Sequence, residues 1–338
     1  MGSNTNYFGD LTPRSAGAIA RKLLDRAQAM SVTEPYFEVK PIPGKSGQAI
    51  TFRRYLGFAV ATVPLADGTP PAGKKLLFED VTITIDEFGD ICEITNRSVE
   101  LHEDDIPAEI QKIMGEQVSE TWETLRIAKM KAGTTVYYAN GAARTDVNTP
   151  VSNGKLATIK RYLSSQRAKY YTSIIKAGQG FNTEPIESCY IAFGHTDLDW
   201  DIRQLQGFTP VEQYADAGKG KPGEMGKAGS FRFVLTEMFD SWADGGAAKA
   251  GSGTTMISTG NTSADVYPLI ILAPGAICTT PLRGKNAITP FYVHPLKVSH
   301  SNKLGQKGHA GWRGWFGAGV LKEEWLVRLE VAATNSPT

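Results

Sequence analysis

The sequence predicts an α+β fold, and three observations predict it. Apolar residues recur in steps of three and four from 106 to 131. Residues 48–95 alternate with period two and contain nothing helical. The chain closes on an aromatic-rich run with strand character at 311–331. With 41% hydrophobic and 21% charged residues, the composition is that of an ordinary folded chain with ample core.

The long helix comes first because the other elements must cover it. Ile106, Ile110, Ile113, Met114, Val118, Trp122 and Leu125 make one stripe, and Glu109, Lys112, Glu116, Glu120, Glu123 and Arg126 the expected polar face. Asp104 and Asp105 are caps, Pro107 suits the first turn and Gly133 the stop. About 25 residues at roughly 1.5 Å each give a rod of about 37 Å.

In chain order, residues 1–12 are polar, and Thr12-Pro13 opens a short helix. That helix has Ile19, Leu23, Leu24 and Ala27 on one side and Arg14, Arg21, Lys22 and Arg26 on the other. Residues 50–55, 58–63 and 76–85 read as strands around a Gly/Pro tip at 67–73, followed by a strand at 91–95. A two-stranded ribbon of this length is barely stable alone, so another chain is expected to complete it. A short strand is predicted at 134–138, a polar loop at 140–153, and a second helix at 155–177 with Ile159, Leu163, Tyr170 and Ile174 inward. Strands follow at 188–193, 230–236, 266–273 and 287–293, with a helix at 196–205 that Thr196 caps. Glycine-rich stretches at 215–229 and 240–263 are expected as surface loops. The 35 glycines and 18 prolines fit long, shaped loops.

Several functions lose support at this stage. Net charge is +1, so no basic field announces a nucleic-acid grip. No apolar run is long enough to span a bilayer, and neither a signal pattern nor a myristoylation motif is expected, since Asn6 stands where Ser or Thr is wanted. Cys92, Cys189 and Cys278 read as reduced core residues. There is no G-x-S-x-G elbow and no G-x-x-x-x-G-K-[ST], and Gly251-Ser252-Gly253 has the wrong spacing for a nucleophile. No strand is expected before the Gly-Lys run at 219–223. Asp197, Asp199 and Asp201 near His195 diverge on a helix and read as capping residues, and His294, His300 and His309 lack ligand spacing. The sequence therefore predicts no catalytic residues, no metal and no cofactor.

Two separated regions carry a family resemblance. Pro41-Ile42-Pro43 followed by Gly-Lys, Ile50-Thr51-Phe52-Arg53-Arg54-Tyr55, Pro64-Leu65-Ala66-Asp67-Gly68-Thr69-Pro70, Phe88-Gly89-Asp90 with Glu93-Ile94-Thr95, and Gly115-Glu116-Gln117 form the first. Gly305-Gln306-Lys307-Gly308, Gly311-Trp312-Arg313-Gly314-Trp315-Phe316 and Trp325-Leu326-Val327-Arg328-Leu329-Glu330 form the second. In this order they resemble the major capsid protein family of N4-like tailed bacteriophages, which has the Hong Kong 97-type capsid fold.

The resemblance implies an N-terminal arm (1–35), E-loop hairpin and peripheral strands (36–100), a spine helix in the peripheral domain (101–153), a mixed α/β axial domain (154–300), and a return strand of the peripheral domain with the C-terminus (301–338). On that reading, Arg53, Arg54, Asp67, Lys74 and Lys75 of the E-loop meet an adjacent subunit. Ile110, Met114, Val118, Trp122 and Leu125 form the spine core, and Trp312, Trp315, Phe316 and Trp325 the return strand. The implied function is assembly of hexamers and pentamers into an icosahedral head in the host cytoplasm, enclosing double-stranded DNA in the virion. Scaffold, portal and decoration proteins are implied partners, and no membrane is. A lysine–asparagine cross-link is not carried over. The rival readings are an encapsulin-like compartment shell and, further off, a hydrolase or binding protein with glycine-rich loops.

Overall fold

The 26-residue helix Ile106–Lys131 begins where the Asp105 carboxylate accepts the Ala108 N–H at 3.3 Å, with Pro107 in the first turn. Lys129 and Lys131 sit in its last turn, where cations complement the helix dipole. It ends as Ala132 N–H returns to the Ala128 carbonyl. At Gly133 an added Cβ would lie 2.6 Å from Leu326 Cδ2, so close packing requires glycine there.

The computed structural model describes residues 5–6, 32–42, 47–62, 64, 72–102, 105–171, 188–213, 223–251, 254–282, 288–298 and 302–335. The expected basic helix at 13–30, the hairpin-tip Asp67 and the cap Asp104 lie outside the described residues. Strands β1 (Thr5–Asn6), β2 (Glu38–Val39), β3 (Ala49–Tyr55), β4 (Phe78–Thr84) and β5 (Asp86–Thr95) precede helices α1 (Asn96–Leu101) and α2 (Ile106–Lys131). Next come β6 (Val136–Tyr138), α3 (Asn153–Ser165), β7 (Tyr190–Gly194), α4 (Asp199–Arg203) and β8 (Phe208–Pro210). Then follow β9 (Glu224–Ala228), β10 (Phe231–Leu235), β11 (Ala250–Gly251), β12 (Thr254–Thr255) and β13 (Val266–Leu272). The last strands are β14 (Ile277–Thr279), β15 (Ile288–Val293), β16 (Lys307–Phe316), β17 (Ala318–Val320) and β18 (Leu326–Ala332).

A seven-stranded mixed sheet of order β6-β18-β13-β7-β10-β9-β8 forms one body of the fold. Its central strands are apolar on both sides because both faces are covered. Tyr190, Phe231, Leu269 and Leu329 meet Leu156, Ile159 and Leu163 of α3 and Ile202 of α4. The other face, through Ile191, Phe193, Ile270 and Leu272, meets Tyr36 and Phe37 and the end of α2 at Ile127 and Met130. A four-stranded sheet, β1-β5-β16-β15, lies against the first part of α2, where Met114, Val118 and Trp122 pack on Ala310 and Trp312. Trp122 stacks on Phe316 at 4.7 Å and meets Trp312 edge-on. One helix therefore serves two cores in succession.

Several expectations are corrected here. Ile113, expected on the apolar stripe, is exposed, because the sheet contact follows Ile110, Met114, Val118, Trp122 and Leu125. Glu123 and Arg126, expected on the polar face, are buried. The second helix stops at Ser165 instead of running to 177. Arg167 adopts φ 52°, its N–H bonds the Ser164 carbonyl, and Ala168 N–H bonds the Leu163 carbonyl, which is a Schellman stop. Residues 58–62 are irregular, because the hairpin pairing ends at Tyr55 opposite Phe78. Residues 224–228, expected in a loop, pair with β10. The stretch 311–331 is two long strands in different sheets, β16 beside α2 and β18 between β6 and β13 in the seven-stranded sheet, joined by β17. Trp325 thus ends a short turn under the larger sheet, its Nε1–H donating to the Gln166 carbonyl. β6 lies in the seven-stranded sheet and β15 in the four-stranded one, so sheet membership crosses the expected boundaries at 153/154 and 300/301.

Candidate assembly surfaces

The β3–β4 hairpin is the element with least support from its own chain. Its base is rooted: Ile83 and Ile85 are buried, and Gly319 and Gly317 leave room for them, since an added Cβ would approach Ile83 to 2.5 Å and Ile85 to 2.8 Å. Further out the register pairs complementary side chains. Thr51 and Thr82 hydroxyls share a hydrogen bond at 3.0 Å, and Tyr55 meets Phe78 edge-on. Arg53 donates through Nε and Nη2 to the two oxygens of Asp80, both at 2.8 Å, with its guanidinium 4.0 Å over the Phe78 ring. Arg54 pairs with Glu79 at 2.5 Å. The Arg53 hydrogen bond holds the Asp80 carboxyl below its ordinary range.

These pairs revise the expectation for the hairpin arginines. Arg53 and Arg54, expected to meet an adjacent subunit, already pair with Asp80 and Glu79 of the same hairpin. Lys74 donates to the Ala59 carbonyl at 3.1 Å, and Lys75 is exposed with no ion-pair partner among the described residues. What the hairpin leaves unanswered is apolar. Tyr55, Leu56, Phe58, Val60, Leu76, Leu77 and Phe78 are all exposed, Val60 to 81%. Seven large apolar side chains exposed on one hairpin make it a candidate interface.

Two further apolar areas are exposed. Leu296, Val298 and Leu304 project from the turn between β15 and β16. A trough of about 540 Å³ runs between α2 and the β15–β16 pair, lined by Met114, Val118, Ile288, Pro290, Phe291 and Trp312. Its polar lining is Gln111 and Tyr292, with no charged side chain beside them. Among the described residues no group of three or more His, Cys, Asp or Glu side chains could hold a metal. His195 acts as a cap, its Nδ1 accepting the Asp197 N–H at 3.0 Å.

The named spine residues lie against the four-stranded sheet, with Met114, Val118 and Trp122 buried and Ile110 and Leu125 half-buried. Trp312 is buried and Phe316 half-buried in that cluster, while Trp315 is half-buried beside it and Trp325 lies elsewhere. Two polar residues of structural weight escape sequence reasoning. Gln117 donates to Asp90 at 2.7 Å and accepts the Trp312 indole N–H at 3.1 Å, tying α2 to β5 and β16. The fully buried Glu123 accepts the Val32 and Thr33 amides at 3.0 and 2.9 Å and the Thr33 hydroxyl at 2.7 Å. Nothing local in the sequence distinguishes Glu123 from the exposed Glu120 one turn earlier.

A family model described as "Phage capsid protein" matches residues 79–329. The chain is 22% identical over 281 residues to the major capsid protein of Pseudomonas phage KPP21, covering 77% of this chain and 68% of that one. Its fold is similar to the capsid of Ralstonia phage GP4, with TM-score 0.67 at 11% identity over 100% of both chains. It is also similar to the Cyanophage Pam1 capsid (TM-score 0.62, 12% identity, 99% and 100% covered). The head of Helicobacter pylori bacteriophage KHP40 gives TM-score 0.61 at 13% identity, covering 98% of each chain.

Proposed function

The chain belongs to the phage capsid protein family, and from that premise we propose that it builds the shell of an N4-like tailed phage as the head's major subunit. In this reading the chain works by assembly, without catalysis. Copies form hexamers and pentamers through heterologous contacts that close into rings, and the rings join into an icosahedral head around double-stranded DNA. The four-stranded sheet with the first part of α2 serves as the peripheral domain, and the seven-stranded sheet with α3 and α4 as the axial domain. Assembly takes place in the host cytoplasm and the product is the virion shell.

The observation that carries the reading is the hairpin. Its charges are neutralised within the strand pair while its apolar side chains face solvent, so what it offers a neighbour is hydrophobic surface edged by Lys74 and Lys75. Burying such surface contributes about 25 cal/mol per Å² at each contact, modest singly and large over a closed shell. The test is expression of the chain alone, followed by sizing chromatography and negative-stain microscopy. Rings of five and six or closed shells are expected, and replacement of residues 56–77 by a short turn should leave a folded, unassembled chain. A hairpin-less chain that assembles like wild type would overturn the reading.

A further inference from the structure

The chain is balanced at 36 cationic against 35 acidic side chains, yet no Asp or Glu occurs between Asp146 and Glu184. This stretch contains α3 and the turn after it. Leu156, Ile159 and Leu163 face the core, and the remaining surface carries Lys155, Lys160, Arg161, Arg167 and Lys169. Lys160, Arg161, Arg167 and Lys169 are exposed and Lys155 is half-buried, and none of the five has an ion-pair partner among the described residues. Arg161 points opposite the buried stripe, and Lys155 and Lys160 flank that stripe on either side. The acids of the neighbouring α4 region are already engaged. Asp199 holds Arg203 at 2.9 Å, Asp201 accepts from Thr334 at 2.8 and 2.6 Å, and Asp197 accepts the Tyr267 hydroxyl at 2.7 Å.

We infer that the exposed side of α3 lies against the phosphate backbone of the enclosed duplex, an inference that rests on the shell reading above. Like charges crowded on one helix repel one another until a polyanion answers them. The nature of that polyanion follows from what is absent. None of the exposed large hydrophobic residues among the described residues falls within 153–171. A protein partner is held by apolar and aromatic anchors at the centre of its contact, whereas a phosphate backbone needs only cations. The contact carries no sequence information, as suits a wall that must accept any stretch of genome.

The experiment uses the full chain and its K160Q/R161Q/K169Q variant. Binding to a 30-bp duplex is followed by fluorescence anisotropy from 50 to 200 mM salt. Lys112→Gln/Lys129→Gln/Arg313→Gln, at exposed cations outside α3 and the hairpin, serves as a control of equal charge change. Loss of three phosphate contacts makes the log–log salt slope shallower by about 2.7, so the affinity ratio of wild type to variant falls about 40-fold across that range. The control should keep the wild-type slope, and all three proteins should melt at the same temperature and assemble alike. A wild-type slope in the α3 variant overturns the inference. So does a variant that stays folded but no longer assembles, which makes α3 a subunit contact, or one that loses polyglutamate binding more than duplex binding, which makes the partner an acidic protein. Failure of wild type to form rings or shells counts against the shell reading, not against phosphate contact by α3, which the salt slope reads independently.

Discussion

Replacing Glu123 tests whether the spine helix holds the segment at Val32 and Thr33 through one buried carboxylate. Its Oε1 accepts two backbone amides, Val32 and Thr33, and its Oε2 accepts the Thr33 hydroxyl and lies 3.4 Å from Arg126 Nη1. Glu123→Ala leaves both amides and Arg126 Nη1 without their carboxylate at a site that is 0% exposed, while Arg126 Nη2 keeps Glu34 at 3.7 Å. Each orphaned buried donor costs about 1–3 kcal/mol, and removing one partner of a buried ion pair costs about 3–5 kcal/mol. These terms overlap, since the same oxygens serve several donors, so the expected loss is about 4–5 kcal/mol. At roughly 2.1 cal/mol/K per residue, unfolding a chain of 338 residues carries about 0.7 kcal/mol/K, so the midpoint should fall by about 6 °C. Glu123→Gln keeps one oxygen for the amides and should lose about half as much. Calorimetry gives the global figure, and hydrogen exchange gives the local one. The Val32 and Thr33 amides should exchange about a thousandfold faster in the alanine variant, because about 4 kcal/mol is three decades of opening. An alanine variant within about 1 kcal/mol of wild type, with both amides still protected, would refute the clamp.

Three further outcomes follow from the same contacts. Asp80 has its folded-state pKa depressed by Arg53, so its contribution is present above the ordinary value of about 3.9 and is lost only as pH falls through the lowered one. Amide exchange in the hairpin should therefore be flat from pH 7 to about 4.5 once corrected for intrinsic rates, and loosening that began near pH 6 would contradict the pairing. Gln117→Leu removes the acceptor of the Trp312 indole and the donor to Asp90, and should cost about 2 kcal/mol, or roughly 3 °C. An unchanged melting midpoint would show that water replaces both bonds. At pH 8 a thiol reagent should label Cys92 quickly in the native chain. Cys189 is buried, and burial pushes the Cys278 thiol up to about 11, so both should wait for denaturant. Rapid labelling of a second cysteine would count against the packing around β7 or β14.

What the sequence makes legible is whatever local chemistry decides. Asp105, Pro107 and the apolar stripe specify α2, alternation specifies β3 and β4, and the unbroken apolar run at 266–272 announces a strand covered on both faces. The misses share one cause, which is that a distant partner decides the outcome. Residues 58–62 alternate like a strand but have no strand opposite them, since the β3–β4 register ends at Tyr55 and Phe78. β16 and β18 have similar strand propensity, and only their neighbours, β5 and β15 for one and β6 and β13 for the other, separate them into two sheets. Glu123 resembles any glutamate on a helix surface until a segment some 90 positions earlier lies across it. The stop of α3 at Arg167 has neither glycine nor proline to announce it, and follows from Ala168 turning inward beside Leu163. The hairpin shows the same dependence carried past the end of the chain. Its arginines find Asp80 and Glu79 within the strand pair, while Phe58, Val60, Leu76 and Leu77 are exposed. A strand pair whose charges are internally satisfied and whose apolar residues face water is the surface that we propose a second copy of the chain covers.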